Sequence, residues 1–65
     1  MPLFTFYPCR ADGSSTAFET FECLDDAVAL TRARRILTEH GSSVEVVVWQ
    51  GERRVGAVPR VSQPA

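Results

Sequence analysis

Few side chains of this 65-residue chain are of the types used in catalysis or metal binding, and their spacing keeps them apart. Cys9 and Cys23 are the only cysteines. If the chain turns at Asp12–Gly13, Cys9 pairs near Thr16 and Cys23 lies about seven residues, or more than ~20 Å, further along. A disulfide needs Cα atoms within about 7 Å of each other. We therefore expect two reduced cysteines with structural roles.

The single histidine and the adjacent aspartates are better explained as helix-capping residues than as catalytic groups. His40 falls at the end of an expected helix, where the helix dipole favours its cation. Asp25 and Asp26 fall at the start of that helix, where neighbouring side chains point apart. Zinc needs about four ligands, which two distant cysteines and one histidine do not supply. We predict no catalytic residue, no metal site, no cofactor and no enzymatic activity.

The serines and glycines add no catalytic or phosphate-binding motif. Four serines lie in expected loops without a recognisable neighbouring base: Ser14, Ser15, Ser42 and Ser43. A phosphate loop precedes a helix, whereas Gly41 and the serines after it follow one.

The stretch from Leu24 to Gly41 has the pattern of one amphipathic helix. Asp25 suits the N-cap position, and Gly41 suits the left-handed position that ends many helices. The apolar residues that fall on one stripe are Ala29, Leu30, Ala33, Ile36 and Leu37. We predict a helix over about 25–40 that lies against a sheet.

Four β-rich runs flank this helix and predict strands at 3–7, 17–23, 44–50 and 53–58. Pro8 is expected to end regular pairing of the first strand. Asp12–Gly13 and Gly51–Glu52 are expected to form the two turns. Phe18 and Phe21 are three residues apart, which leaves open a bulge or one phenylalanine on the outer face of the sheet.

The element order predicts an α+β fold, ββαββ, with one helix packed on a four-stranded antiparallel sheet. The most apolar strands should be central, which gives the strand order 2-1-3-4. We predict one domain over 1–58 and a flexible C-terminal tail over 59–65. A chain of this size buries only roughly 60% of its unfolded surface, so a second subunit would help to stabilise it.

In two runs of residues, Phe21–Ala27 and Val46–Arg53, the chain resembles a group of small proteobacterial ββαββ proteins. The first, Phe21–Ala27, has the pattern F-x-C-x-D-D-A at the helix start and is followed by Ala29 and Ala33. The second, Val46–Arg53, has the hairpin pattern V-x-V-W-x-G-x-R. The resemblance covers most of the predicted domain and implies a bacterial, cytoplasmic protein. That group has no established activity, so the resemblance implies no catalytic residue.

Charge and hydropathy exclude several classes of protein. The formal net charge of −1 argues against a general binder of nucleic acid or anionic membranes. The start of the chain, Met1–Phe4, lacks the basic residues and the long apolar segment of a signal peptide. No apolar run approaches the ~20 residues of a membrane-spanning helix. We therefore expect a cytoplasmic location.

A basic patch is the basis of the alternative function. Five arginines fall on the outer part of the helix and on the last hairpin, where they could contact phosphates: Arg32, Arg34, Arg35, Arg53 and Arg54. Glu39, Glu45 and Glu52 are interspersed among them, which favours a solvated, ion-paired surface. Weak nucleic-acid binding is the alternative that we retain.

The uncovered face of the sheet supplies the leading prediction, because one helix covers only one face. We expect the helix to cover Phe4, Phe6, Val44, Val46 and Val48. The predicted interface on the other face is Leu3, Tyr7, Val47 and Trp49. Trp and Tyr are frequent interface anchors, although the tail or arginine side chains could cover this face instead. We predict a non-enzymatic module that forms a homodimer or binds another protein, without a small-molecule ligand.

Overall fold

The computed structural model describes residues 1–15 and 17–60. Its elements are β1 (Leu3–Cys9), β2 (Glu19–Glu22), α1 (Asp26–Glu39), β3 (Glu45–Gln50) and β4 (Arg53–Pro59). The four strands form one antiparallel sheet in the order β2-β1-β3-β4, and α1 packs on one face of it. The predicted ββαββ architecture and strand order are confirmed.

The helix begins as its sequence indicates. Asp25 is the N-cap, and its Oδ1 accepts a hydrogen bond of 2.9 Å from the backbone N–H of Val28. This bond satisfies one of the amides that a helix start leaves without a partner. The buried stripe consists of Ala29, Ala33, Ile36 and Leu37. The two alanines let the helix axis lie close to the sheet.

The end of the helix differs from the prediction, because Gly41 does not adopt a positive φ. His40 is the C-cap residue, and its N–H donates to the carbonyl of Ile36 at 3.0 Å. The guanidinium of Arg60 donates to the carbonyls of Leu37 and His40 at 2.6 and 3.0 Å. Carbonyls at the helix end are thus satisfied by a side chain that follows β4, so a left-handed glycine is not needed there.

The prediction that Pro8 ends regular pairing is wrong, because β1 continues to Cys9 beside β3. The carbonyl of Cys9 accepts from the N–H of Val44 at 2.8 Å. The backbone groups of successive residues point to opposite sides of a strand. The carbonyl of Cys9 faces β3, so the backbone nitrogen of Pro8, which carries no hydrogen, faces the β2 side. The pairing of β1 with β2 has already ended at Phe6 and Glu19, so no ladder hydrogen bond is lost.

The turns lie where they were expected. Gly13 and Gly51 have φ values of +87° and +60°, which glycine adopts at little cost. The one register shift lies in the β3–β4 ladder rather than in β2: Gly56 pairs with Val48, and Arg54 pairs with Trp49. Val55 is therefore the extra residue of a bulge.

The core lies between α1 and the sheet. Its largest fully buried side chains are Phe4, Phe6, Ile36, Val46 and Val48. Val44 was expected in this layer, but it precedes β3 and is 42% exposed. The strand alternation that would turn it inward begins only at Glu45.

The end of the described chain is held by specific bonds. β4 continues through Pro59, one residue past the expected domain boundary. The backbone N–H of Arg60 then donates to the carbonyl of Val44 at 2.7 Å. The rest of the expected tail, 61–65, lies outside the described residues, as does Thr16.

Candidate functional site

The candidate site is the sheet face that points away from α1, which we call the outer face. Alternation along each strand defines it, because Phe4, Phe6, Val46 and Val48 point toward the helix. Its residues are Leu3, Thr5, Tyr7, Cys9, Thr20, Glu22, Glu45, Val47, Trp49, Arg54 and Ala57. No helix or strand of the described chain packs on this face.

The strand register arranges the centre of the outer face in two adjacent rows. Thr20, Thr5, Trp49 and Arg54 form one row, and Tyr7, Val47 and Ala57 form the next. Side chains that are paired across neighbouring antiparallel strands lie about 4.5–5.5 Å apart at Cβ. Tyr7 and Trp49 are therefore each in contact range of a smaller side chain on the next strand, Val47 and Thr5 respectively.

Three of the four predicted interface residues surround one shallow groove. Tyr7, Val47 and Trp49 line it together with Cys9, and Ser15 and Gly51 contribute from the adjacent turns. The groove has a volume of about 500 Å³. The three predicted side chains are half-buried, so a partner laid on this face would contact them over a continuous surface.

Leu3, the fourth predicted interface residue, lies on the outer face but apart from the groove. It pairs with Glu22 at the far end of β1, and Thr5 separates it from Tyr7 along the strand. Leu3 is 54% exposed. The structure thus places it at the margin of the apolar surface.

Phe18 adds an aromatic ring that the interface prediction left out. It is 62% exposed, and its ring centroid lies 5.8 Å from that of Tyr7. Phe21, three residues later, points to the helix side and packs edge-on against Phe6. The three-residue spacing of Phe18 and Phe21, which breaks strict alternation, was the sequence signal for this ring. The structure explains the spacing, because β2 begins only at Glu19 and Phe18 precedes the strand.

The two cysteines are free and lie on opposite faces of the sheet. Cys23 is buried in the core, whereas Cys9 is half-buried beside the groove. The Sγ of Cys9 lies 3.4 Å from the carbonyl of Tyr7. Burial, reinforced by the charge of Glu45, raises the pKa of the Cys9 thiol. Its nucleophilic thiolate form is therefore disfavoured at neutral pH.

His40 and the aspartate pair have structural partners. The Nε2 of His40 lies 3.0 Å from Oε2 of Glu19, which ties the end of α1 to β2. Asp26 accepts two hydrogen bonds, of 2.9 and 3.2 Å, from the guanidinium of Arg53. Hydrogen bonding from Arg53 lowers the pKa of the Asp26 carboxyl. The predicted capping role of Asp25 is confirmed.

Three of the five predicted phosphate-contacting arginines are engaged inside the chain. Arg32 lies over the ring of Phe21, with its Cζ 4.4 Å from the ring centroid. Arg35 lies 3.8 Å from the exposed carboxylate of Glu39. Arg53 forms the bidentate pair with Asp26.

The other two arginines of the predicted set lie on different sides of the molecule. Arg34 is exposed on α1, beside a cleft that Arg60 also lines. Arg54 lies on the outer face, opposite Trp49 in the register. The structure therefore divides the five arginines among several surfaces instead of gathering them in one patch.

Residues 1–15 and 17–60 contain neither a cluster of metal-binding side chains nor a membrane-spanning helix. No group of three or more His, Cys, Asp or Glu side chains is placed to hold a metal ion. None of the helices in these ranges combines the length and apolar character needed to cross a membrane.

Comparison with known proteins adds no relative. The chain matches no family model, no curated protein and no solved structure. The resemblance to small proteobacterial ββαββ proteins therefore stays a prediction.

Proposed function

We propose that this protein is a non-enzymatic association module that binds a protein surface through the outer face of its sheet. The observation that carries the proposal is the cluster of Tyr7, Val47 and Trp49 around one groove, extended by Phe18. Within the described chain, α1 covers only the opposite face. The cytoplasmic location and the bacterial source implied by the resemblance belong to the same proposal.

The composition of the cluster supports association in energetic terms. Burying one large apolar side chain contributes roughly 1.5–3 kcal/mol. Tyr7 and Trp49 also carry a polar group at the end of an apolar ring, which suits positions at the edge of an interface. A domain of this size has little core of its own, so covering such a surface also increases its stability.

Site-specific photo-crosslinking in the producing cell tests the proposal. A photoreactive amino acid replaces Thr20 on the outer face or Thr31, an equally exposed threonine on α1. We expect a protein adduct from position 20, none from position 31, and loss of the adduct when Trp49→Asp is added. Equal adducts from both positions, or none from position 20, would contradict the proposal.

Binding of single-stranded nucleic acid is the second candidate. The observation that favours it is the pairing of Trp49 with Arg54 on the same open face. Bases stack on aromatic rings while arginine contacts phosphates in many single-strand binders. The charges oppose it, because Glu22 and Glu45 share this face and the formal net charge is −1. Protein association is therefore the stronger proposal.

A further inference from the structure

The charged residues of the outer face point to one partner, a second copy of this chain. Arg54 on β4 and Glu22 on β2 are exposed at opposite edges of the face. Neither forms an ion pair with another described residue. We propose that two copies pack outer face to outer face, so that Arg54 of each copy faces Glu22 of the other. This inference rests on the proposed association function and specifies its partner and geometry.

The two-fold axis of this dimer runs parallel to the strands, between β1 and β3. Those two strands are at the centre of the order β2-β1-β3-β4. A rotation about this axis lays β1 over β3 and β2 over β4 of the other copy. This rotation does not change the position of a residue along the strand direction, so residues of the same row face each other. The interface is therefore isologous, the commonest closed arrangement for two identical chains.

The register then places each aromatic ring of the face over a smaller side chain. Tyr7 faces Val47 of the other copy, and Trp49 faces Thr5, because each pair shares one row. Phe18 neighbours Tyr7 at the β2 edge and so faces the row that ends in Ala57. Sheets packed face to face lie about 10 Å apart, a gap that such large-and-small pairs fill.

The pairing of Arg54 with Glu22 is specific to this axis and does not form about an axis perpendicular to the strands. In the proposed dimer, Arg54 of one copy lies opposite Thr20 of the other, because both belong to the same row. Glu22 is two residues further along β2 than Thr20, a distance of about 6.6 Å along the strand. Both side chains are long enough to meet across the gap. A perpendicular axis would lay β4 over β4 instead, so that Arg54 faced Arg54, Ala57 or Pro59, and in the last case lay near Glu45 of the other copy. Arg54 meets Glu22 only in the first arrangement, so charge reversal at Glu22 distinguishes the two axes.

The size of the face predicts a weak, reversible dimer. β1 has seven residues and β3 has six, so the central strands are roughly 20–23 Å long at ~3.3 Å per residue. Four strands at a spacing of ~4.8 Å span about 15–19 Å. Both copies together then bury on the order of 800 Å², below the ~1,200 Å² of stable specific interfaces and within the range of weak, transient ones. A dissociation constant near ~10 µM suits that area.

Charge reversal with the purified protein tests the pairing. Sedimentation at ~100 µM should show a wild-type dimer. Arg54→Glu or Glu22→Arg alone should raise the dissociation constant about tenfold, because like charges then face each other at two symmetric sites. The double variant should return to within about threefold of the wild-type constant. Arg34→Glu, on the helix side, is the matched control and should leave the constant unchanged.

Crosslinking through Cys9 tests the axis independently. Strand spacing and sheet separation place the Cα atoms of the two Cys9 residues about 11 Å apart in the proposed dimer. A perpendicular axis through the groove separates them by about 17 Å or more. A bismaleimide with a spacer of about 8 Å should therefore join two copies. Cys9→Ser, which retains the buried Cys23, should abolish the product.

The outcomes separate this inference from the association function. A wild type that is monomeric at ~100 µM, a double variant that fails to recover, or a dimer without a Cys9 crosslink would each overturn the proposed dimer. The adduct from position 20 decides the association function separately. If it forms with a different protein while the purified chain stays monomeric, the association function stands and the dimer does not.

Discussion

Arg60 connects the end of β4 to the end of α1, and its removal should destabilise the fold by a measurable amount. Its guanidinium donates to the carbonyls of Leu37 and His40, and its Nε donates to the carbonyl of Ser43 at 2.8 Å. Two of these bonds are partly buried, and the bond to His40 is exposed. Arg60→Ala removes all three bonds, and within the described chain only the carbonyl of His40 keeps another donor, the backbone N–H of Ser43 at 3.0 Å.

The magnitude follows from the number of bonds and their exposure. A hydrogen bond to a charged group contributes roughly 1.5–3 kcal/mol, and exposure to water reduces that value. Counting about 1 kcal/mol for each partly buried bond and none for the exposed one gives a loss of about 2 kcal/mol for Arg60→Ala. At ~0.05–0.15 kcal/mol per residue, the whole domain is stable by only about 3–10 kcal/mol. The loss corresponds to a decrease in Tm of about 8–16 °C.

Urea and thermal unfolding followed by circular dichroism measure this loss. Arg10→Ala is the matched control, because the Arg10 side chain is exposed and makes no hydrogen bond or ion pair with another described residue. Arg60→Lys should fall between the wild type and Arg60→Ala, since one ammonium group cannot reproduce the planar fork of donors. Equal midpoints for Arg60→Ala and Arg10→Ala would refute the role assigned to Arg60.

Two further predictions concern charge. Lowering the pH through the acid range should remove the stability contributed by Asp26, because Arg53 holds the pKa of its folded carboxyl below the unfolded value of about 3.9. That contribution is present above the unfolded pKa and is lost as pH falls through the folded pKa. Asp26→Asn should therefore flatten the pH dependence of the urea midpoints, and an unchanged pH dependence would contradict the role of this ion pair. If the second candidate function holds, binding of mixed-sequence single-stranded RNA weakens steeply with salt and is reduced more by Arg54→Glu than by Arg34→Glu. Absence of any salt-sensitive binding at low ionic strength would exclude that function.

The features that could be predicted from the sequence depend on local patterns. The N-cap role of Asp25 needs only the residues that follow it, and the helix stripe needs only a period of 3.6 residues. The strand order followed from hydropathy, because a strand with two neighbours buries more of its residues than an edge strand does. Each of these inferences uses information confined to one element.

The features that were missed depend on contacts between distant parts of the chain. Gly41 was expected to end the helix by its own conformation, yet Arg60, 20 residues beyond His40, donates to the carbonyls of Leu37 and His40. The contact of His40 with Glu19 joins residues 21 positions apart. No local pattern indicates which distant side chain will reach a helix end, because that depends on where β4 finishes.

The candidate site could be predicted in part, because it depends both on local patterns and on contacts between distant strands. Alternation alone assigned Tyr7, Val47 and Trp49 to one face, but only the register between β1 and β3 makes Tyr7 and Val47 direct neighbours. The same register moves Leu3 to the margin, since it pairs with Glu22 rather than with β3. The aromatic rings at the centre of this face and the opposite charges at its two edges are the observations on which the proposed dimer rests. The registers of three strand pairs, rather than any motif, therefore determine which residues of this chain can act together.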